Sequence, residues 1–500
     1  MSQLRSREPH PKTRVSLAVL ASLLVACSGH PSDDASAAAN SSSTASGGMP
    51  ATDTYDVASS LIPGKSAVAH DGQTLRHVLA ADLIATIEGL TERIDNDSFS
   101  PTTLEDTVKL LEAYYEFDDQ TSGKTAPKLE TSPLPLQKSY DAIATGKALK
   151  EQLAGNSKAT DFKDWTKQFV GWKDASIAVS GGSINSPEGL LHAYFQTLGK
   201  LAVDRENGVI PLEPGTNKPI SVVHITATGL DLHELIEKSI ELGVTYAQAS
   251  DDLLDDDVAG RGLLSPNTQD GAAPFTVLGH AWDEAFGYFG AAHDYVNYSD
   301  QELASLGGRA DWQRSHDTNG DGAIDLTREF NFGIAVTAAK RDLSSQDATD
   351  FTGEAFAAAL TGRRLILNAG PVLTPVELTQ LKVHRDAWLG AWERSLAATV
   401  LHELNESIAL TERVGGANYD FYAHAGEWSE LKGYALGLQF NPRKVISDAD
   451  FAKLHELLGD KPVLANTTAA ERLAYVTALK SAHELVRTVY GFSKANAGAW

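Results

Sequence analysis

The sequence has 500 residues, and 66 acidic residues outnumber 42 basic ones, so the formal net charge at pH 7 is -24. Such a chain repels polyanions, which argues against nucleic acid and anionic membrane surfaces as partners and leaves cations as the expected ones. A single cysteine excludes an internal disulfide, and 42% hydrophobic residues suffice for a large core.

The first 26 residues are predicted to be the export signal of a lipoprotein. Four basic residues within the first 14 precede a mostly apolar run, 15–26, which is too short to span a membrane. The run leads into LVAC at 24–27, which resembles the bacterial lipobox. Cys27 is therefore predicted to be the lipidated first residue of the mature chain. By similarity to known sorting rules, Ser28 favours the outer membrane, so we expect a cell-envelope lipoprotein anchored in outer-membrane lipid and facing either the periplasm or the outside.

Residues 27–60 are predicted to form a flexible tether, because they are rich in Ser, Ala, Gly and Asp and show no apolar period. The remainder, 61–500, is predicted to fold as a single large domain. Apolar residues recur through it at helical spacing, whereas strand-like alternation is brief, at 220–227, and predicts a small hairpin rather than a sheet. The predicted class is all-α, a helical bundle. Polar residues delimit four of its helices, at 74–94, 103–115, 139–153 and 189–203.

An internal repeat predicts that this bundle is duplicated. LHELIEKSIEL at 232–242 and LHELNESIAL at 401–410 are nearly the same string. Downstream of each, the pattern WxExxGY recurs at 282–288 and 428–434, the first within a segment whose aromatic residues share one helical face. Two motifs in the same order twice predict a repeated helical unit, at approximately 228–300 and 397–440.

Duplication would bring equivalent His and Glu residues together across a pseudo-two-fold axis. Three His–Glu pairs lie one helical turn apart, and a fourth acid corresponds to the glutamate of WxExxGY. Helix bundles build metal sites from such inward side chains, and imidazole suits iron, copper or zinc. The alternative is a set of buried groups that only hydrogen bond to one another. The candidate bundle site comprises His233, Glu237, His280, Glu284, His402, Glu406 and Glu430.

The stretch DTNGDGAIDLTRE, 317–329, matches an EF-hand-like calcium loop. Calcium binds six to eight oxygens, supplied here from alternate positions around the sharp turn at Gly322. Arg328 stands where the bidentate acid belongs, so the next residue is predicted to take that role. The alternative is an Asp/Asn/Gly turn without an ion. The predicted calcium ligands are Asp317, Asn319, Asp321, Asp325 and Glu329.

Several long motifs resemble the bacterial lipoprotein family known as domain of unknown function 4856. These are DGQTLRHVL at 71–79, HAWDEAFGYFGA at 280–291, the loop continued to 333, and EWSELKGYALGLQFNP at 427–442. The family is commonly encoded beside imelysin-like proteins and outer-membrane receptors, which implies an accessory role in iron or other metal uptake with such a protein as partner. Imelysin-like proteins are duplicated helical bundles, so the resemblance also implies that fold.

These observations give one leading function and two alternatives. The leading prediction is a lipid-anchored, calcium-stabilised, non-enzymatic protein that binds a metal ion or metal complex during uptake. The first alternative is an imelysin-like hydrolase using His280 and Glu284, although the hallmark GxHxxE is absent and GHAWDE at 279–284 is the nearest string. HExxH, the zinc-peptidase motif, is absent too. The second alternative is a surface adhesion or structural protein in which calcium is the only ion.

Overall fold

The computed structural model describes residues 53–117, 126–157, 160–308 and 314–500. Within these ranges the chain is built from α-helices joined by turns, and β-pairing is limited to isolated bridges. The predicted all-α class and helical bundle are therefore confirmed. Residues 52–500 form one compact unit. The predicted signal peptide and Cys27 lie outside the described residues.

The first half of the compact unit contains seven α-helices within the described ranges, and only three of them exceed 12 residues. They are α1 (Asp71–Glu88), α2 (Leu90–Asp95), α3 (Leu104–Tyr115), α4 (Trp165–Gln168), α5 (Pro187–Glu206), α6 (Leu232–Ile240) and α7 (Val277–Phe289).

The second half is more regular, and its helices pack side by side around the longest one. They are α8 (Asp300–Leu303), α9 (Gly333–Ser344), α10 (Phe351–Asn368), α11 (Pro375–Arg413), α12 (Phe421–Gly437), α13 (Asp448–Leu458), α14 (Ala469–Val489) and α15 (Lys494–Ala499).

Helix α11 is the axis of the bundle. Its 39 residues begin with Pro375 at the first turn and a capping box between Thr374 and Glu377, which satisfies backbone donors at the start. α9, α10, α12 and α14 pack against it. Trp388 is fully buried on α11 and lies 5.4 Å, centroid to centroid, from Trp282 of α7. This aromatic contact joins the two halves of the chain.

Helix α6 approaches α12 closely because α12 carries glycines at the contact. A Cβ on Gly433 would lie 2.5 Å from Cβ of Lys238, and one on Gly437 would lie 2.2 Å from Leu242. Any larger residue would push the two helices apart. Beyond Ile240, α6 continues as two π-helical segments, Glu241–Tyr246 and Gln248–Leu253.

Some sequence predictions of local structure were wrong. The predicted helix at 139–153 contains only two short 3₁₀ turns, and Gly146 between them has φ of +65°, which ends any helical run. The hairpin predicted at 220–227 is replaced by single bridges, one of which joins Ile225 to Asp231. The predicted helix at 74–94 is interrupted at Gly89 and forms α1 and α2.

The fold begins earlier than the predicted tether, 27–60, allowed. Tyr55 is fully buried, stacks on Phe286 with ring centroids 3.6 Å apart, and donates a 3.0 Å hydrogen bond to Asp283. Asp283 also accepts from Arg363 Nε at 2.7 Å, and both of these charged residues are buried. The next residue, Asp56, lies 3.0 Å from His293 Nδ1.

None of the helices in the described part of the chain combines the length and apolar composition that crossing a bilayer requires.

The buried ion pair gives a test of this packing. Arg363→Met would leave Asp283 charged and buried without its cation, so we expect the free energy of unfolding to fall by roughly 3–5 kcal/mol. Urea denaturation measures this loss. Lys480→Met, which removes an exposed cation 2.8 Å from Glu412, is the control and should change stability by less than about 1 kcal/mol. Equal effects would contradict the role of the Asp283–Arg363 pair.

Candidate metal centre

Five glutamates from three helices meet where α6, α11 and α12 pack together. Two sets of three have carboxylate oxygens that all lie within 4.8 Å of one another, and Glu430 belongs to both. The first set is completed by Glu234 and Glu237 of α6, and the second by Glu403 of α11 and Glu427 of α12. We call these five residues the junction cluster.

Local sequence explains how these side chains reach one point. Glu234 and Glu237 are three residues apart, as are Glu427 and Glu430, so each pair shares one helical face. The start of α6 is fixed by Asp231, whose side chain accepts from the His233 backbone N–H at 3.0 Å. The backbone N–H of Asp231 donates to Ser429 Oγ of α12 at 2.9 Å. The register between the two helices is thereby set.

A lysine already occupies the first set. Lys238 is buried, and its Nζ lies 2.6 Å from Glu237, 3.1 Å from Glu430 and 3.8 Å from Glu234. Burial lowers the pKa of Lys238, but the interactions with Glu237, Tyr434 and Glu430 outweigh burial and raise the pKa well above its usual value. Its ammonium group is therefore a permanent cation among these three carboxylates.

The other two acids of the second set, Glu403 and Glu427, do not take part in this contact with Lys238. Glu403 is 3% exposed, and its Oε2 has no hydrogen-bond partner. Glu427 lies beside Glu403, and a carboxylate oxygen of each lies within 4.8 Å of the other. Burial, followed by the charge of Glu430, raises the pKa of Glu403 well above its usual value. Arg341 of α9 counteracts this shift, but its own Nε and Nη1 atoms have no hydrogen-bond partner.

The histidine next to the cluster is not a free ligand. His233 Nδ1 lies 3.1 Å from Glu234, and its Nε2 lies 3.3 Å from Glu88 of α1. Burial lowers the pKa of His233, but the hydrogen bond to Glu234 and the nearby carboxylates raise it to about 9. The ring is therefore protonated at neutral pH and lacks the lone pair that a metal requires.

The other predicted bundle ligands lie apart from the cluster or at its edge. His280 Nε2 is 3.8 Å from Glu284 and its ring stacks on Phe275, while Glu284 accepts a 2.8 Å hydrogen bond from Gln73 of α1. This pair therefore faces α1.

In the second repeat, Glu406 is exposed on α11. His402 Nε2 lies 4.0 Å from Glu403, and burial, followed by the charge of Arg341, lowers the pKa of His402 to about 4. Of the seven candidate residues, the structure thus brings Glu237 and Glu430 together, with His233 and His402 at the edge of the cluster.

Three acids of the junction cluster were missed from the sequence, although two carry a signal. Glu234 and Glu403 are the glutamates of the repeated HEL strings, at equivalent positions in the two copies. The predicted ligands are instead the glutamates one turn after each histidine. In the second copy that residue, Glu406, points to solvent. Glu427 has no signal beyond its three-residue spacing from Glu430.

The predicted calcium loop is closed by hydrogen bonds from its own backbone. Asp317 accepts from the N–H groups of Gly320 and Gly322 at 2.7 and 2.9 Å, and Asp321 accepts from that of Ala323 at 2.9 Å. Gly322 has φ of +83°, as the sharp turn requires. The loop is therefore compatible with either an ion or a ligand-free Asx turn.

The end of the loop departs from a helix-loop-helix. Glu329 is buried and reaches back to accept from the Thr318 and Asp325 backbone N–H groups, each at 2.8 Å, but α9 begins only at Gly333. Arg328 forms an ion pair with Asp56. Among the described residues, the loop acids do not form a set of three with oxygens within 4.8 Å.

Comparison with known proteins found no matching family model, no matching curated protein and no matching solved structure. The resemblance to the lipoprotein family and to imelysin-like proteins therefore stays a prediction that its motifs alone support.

The raised pKa of Glu403 predicts how stability depends on pH. The folded chain holds a proton that the unfolded chain releases above the ordinary pKa of 4.5, so the free energy of unfolding falls as pH rises beyond that value. Gln cannot ionise, so in chelator-treated protein Glu403→Gln should flatten this decline between about pH 5 and pH 8. Urea denaturation across that range measures the slope. Glu406→Gln, on the exposed face of α11, is the control, and equal slopes for all three proteins would refute this role of Glu403.

Proposed function

We propose that this chain is a cation-binding protein of the cell envelope, with a hard cation bound by Glu403, Glu427 and Glu430. The observation that carries the proposal is the unpartnered, buried Glu403 Oε2 atom within a set of three converging carboxylates. A cation would supply the missing partner of Glu403 Oε2 and offset the repulsion among the three carboxylates. It would remove the penalty of holding buried carboxylates without full compensation.

The choice of the second set follows from charge. Lys238 lies within 4 Å of all three acids of the first set, whereas in the second set it contacts Glu430. The charge of Arg341 acts on Glu403 and Glu427, but its Nε and Nη1 atoms make no hydrogen bond. Three carboxylates without nitrogen or sulfur ligands favour hard ions such as calcium or manganese(II) over copper or zinc. The proposed ions therefore differ from the iron, copper or zinc that the histidine pattern predicts.

The cellular role rests on the sequence predictions. A lipid anchor at Cys27, a tether and the family resemblance support an outer-membrane lipoprotein that assists metal uptake beside a receptor or an imelysin-like protein. The duplicated, imelysin-like arrangement of the bundle and the EF-hand-like character of the calcium loop belong to the same proposal. The hydrolase alternative has less support, since in the described chain no third acid or histidine joins His280 and Glu284 in a ligand set.

Glu430→Gln tests the proposed site. Losing this carboxylate should weaken Mn²⁺ binding to the full chain by more than roughly 100-fold, since replacing even outer-shell partners costs 10- to 100-fold. Calorimetric titration after chelator treatment gives the affinity. Glu406→Gln makes the same change of charge at a neighbouring exposed position, so this control variant should bind Mn²⁺ with the affinity of the wild type. Unchanged Mn²⁺ affinity in the correctly folded Glu430→Gln variant would reject the metal centre and leave calcium-dependent adhesion as the better function.

The calcium loop has a separate test. Asp321→Asn keeps an oxygen acceptor for the Ala323 N–H but removes a charged ligand, so the loop should fold and yet lose calcium affinity. We expect chelation to lower the melting temperature of the wild type, and the variant in calcium to melt like the chelated wild type. Asp270→Asn, at an exposed turn, is the control. A variant that calcium still stabilises fully would show that this loop is not the ion's site.

A further inference from the structure

The acidic run DDLLDDD, 251–257, forms a second place where buried carboxylates lack partners. We propose that Asp251 and Asp252 bind a hard divalent cation of the calcium class in a small cavity that Thr160, Arg261 and Gly262 also line. This site is distinct from the junction cluster and from the loop at 317–329, and it does not depend on the proposed function.

The cavity has the size of one ion. Its volume is about 10 Å³, which is about the minimum that a single water molecule needs. Four acids line it, together with a hydroxyl and one arginine. The lining residues are Thr160, Asp251, Asp252, Asp255, Asp257, Val258, Arg261 and Gly262.

The second observation is a buried, unpartnered oxygen on a carboxylate that lines this space. Asp251 is 6% exposed, and while its Oδ2 accepts from the Phe162 backbone N–H at 3.0 Å, its Oδ1 has no partner. Asp252 Oδ1 is also buried without a partner. A buried carboxylate oxygen that bonds to nothing carries a desolvation penalty of about 1–3 kcal/mol, and more when charged. A cation in the cavity would remove this penalty for both residues.

Two neighbouring acids of the run, Asp255 and Asp256, are already paired with bases. Asp255 Oδ1 lies 2.5 Å from Arg443, and Asp256 lies 2.5 Å from Lys382 and 2.6 Å from Arg385. These three bases are thus engaged by other carboxylates.

The charge left near Asp251 is acidic. Burial, followed by the charges of Asp252 and Asp255, raises the pKa of Asp251 to about 8, against the opposing hydrogen bond from Phe162. Burial raises the pKa of Asp252 and outweighs the opposing interactions with Thr160 and Gln248 and the charge of Arg261, which lines the cavity. The balance at the cavity therefore favours an added cation.

The ligand chemistry and the access route agree with calcium or a similar ion. Carboxylate, hydroxyl and backbone oxygens are the ligands that hard cations prefer, and the cavity offers no sulfur and no imidazole among its described lining residues. Thr160, Asp252, Arg261 and Gly262 also line a surface cleft of about 530 Å³, which gives an ion a path from solvent. Both acids lie on the π-helical segment Gln248–Leu253, a form of helix frequent at functional sites.

Ion binding would tighten this region. In the described chain the acids of the run do not yet bring three ligand oxygens within 4.8 Å of one another, as the junction cluster does. We therefore expect the bound ion to draw Asp257 towards Asp251 and to restrain residues 248–262.

The experiment is a calcium titration of the chelator-treated full chain by calorimetry. The double variant Asp251→Asn/Asp252→Asn should lose one equivalent of bound Ca²⁺, because both changes conserve shape and remove the charge. Asp256→Asn, in the same run but paired with Lys382 and Arg385, is the matched control and should keep that equivalent. Glu403→Gln should also keep it, which separates this site from the junction cluster. The same number of equivalents in the double variant and the wild type would overturn the proposal.

Hydrogen exchange on the wild type gives a second measurement that does not depend on a variant folding. At a free Ca²⁺ concentration of 100 times Kd, amides at 248–262 that exchange by openings which release the ion should slow by about 100-fold. Exchange that stays unchanged at 248–262 at saturating Ca²⁺ would equally overturn the proposal.

Discussion

The close approach of α6 and α12 is the constraint on which the charged centre of this protein depends. Gly433 and Gly437 leave no side chain between the helices, so Lys238 and Leu242 lie directly against the backbone of α12. At this separation the partly buried acids of both helices lie close together. They share Lys238 on one side, and on the other they meet Glu403 from the long helix α11. The density of charge at this point is thus a consequence of packing.

Several buried or half-buried acids in this fold have a dedicated base. Asp283 has Arg363, Asp255 has Arg443, and Asp460 has the fully buried Lys432 at 2.9 Å. Such pairs offset the desolvation of each charge without leaving capacity for a ligand. At the two proposed cation sites this compensation is incomplete. Their common feature is a buried carboxylate oxygen without a partner.

The sequence was informative about helices whose signals are local. α3 and α5 begin within two residues of their predicted starts, because an apolar period and a capping side chain mark each one. The segment 139–153 has the same apolar spacing but contains Gly146 with positive φ, and its conformation is set by packing rather than by periodicity. Local pattern alone cannot separate these two cases.

The site was predictable as a choice of helices but not of side chains. The repeated HEL strings predict that α6 and α11 contribute to the site. Which glutamate faces α12, however, depends on how each helix is rotated about its axis. Glu403 points inward and Glu406, less than one turn later, points outward. Asp251 poses a similar difficulty, because an acidic run usually predicts a solvated surface, and only the π-helical path of Gln248–Leu253 turns it inward.

The docking of Tyr55 and Asp56 has a mechanical consequence. Tyr55 is bonded to Asp283 in the core, and Asp56 is bonded to His293 and to Arg328 of the predicted calcium loop. Tension applied to the chain before Tyr55 is therefore carried directly into α7 and into that loop. The contacts of Tyr55 in the core and of Asp56 at the loop would both have to break before such a force could separate α1 from the bundle.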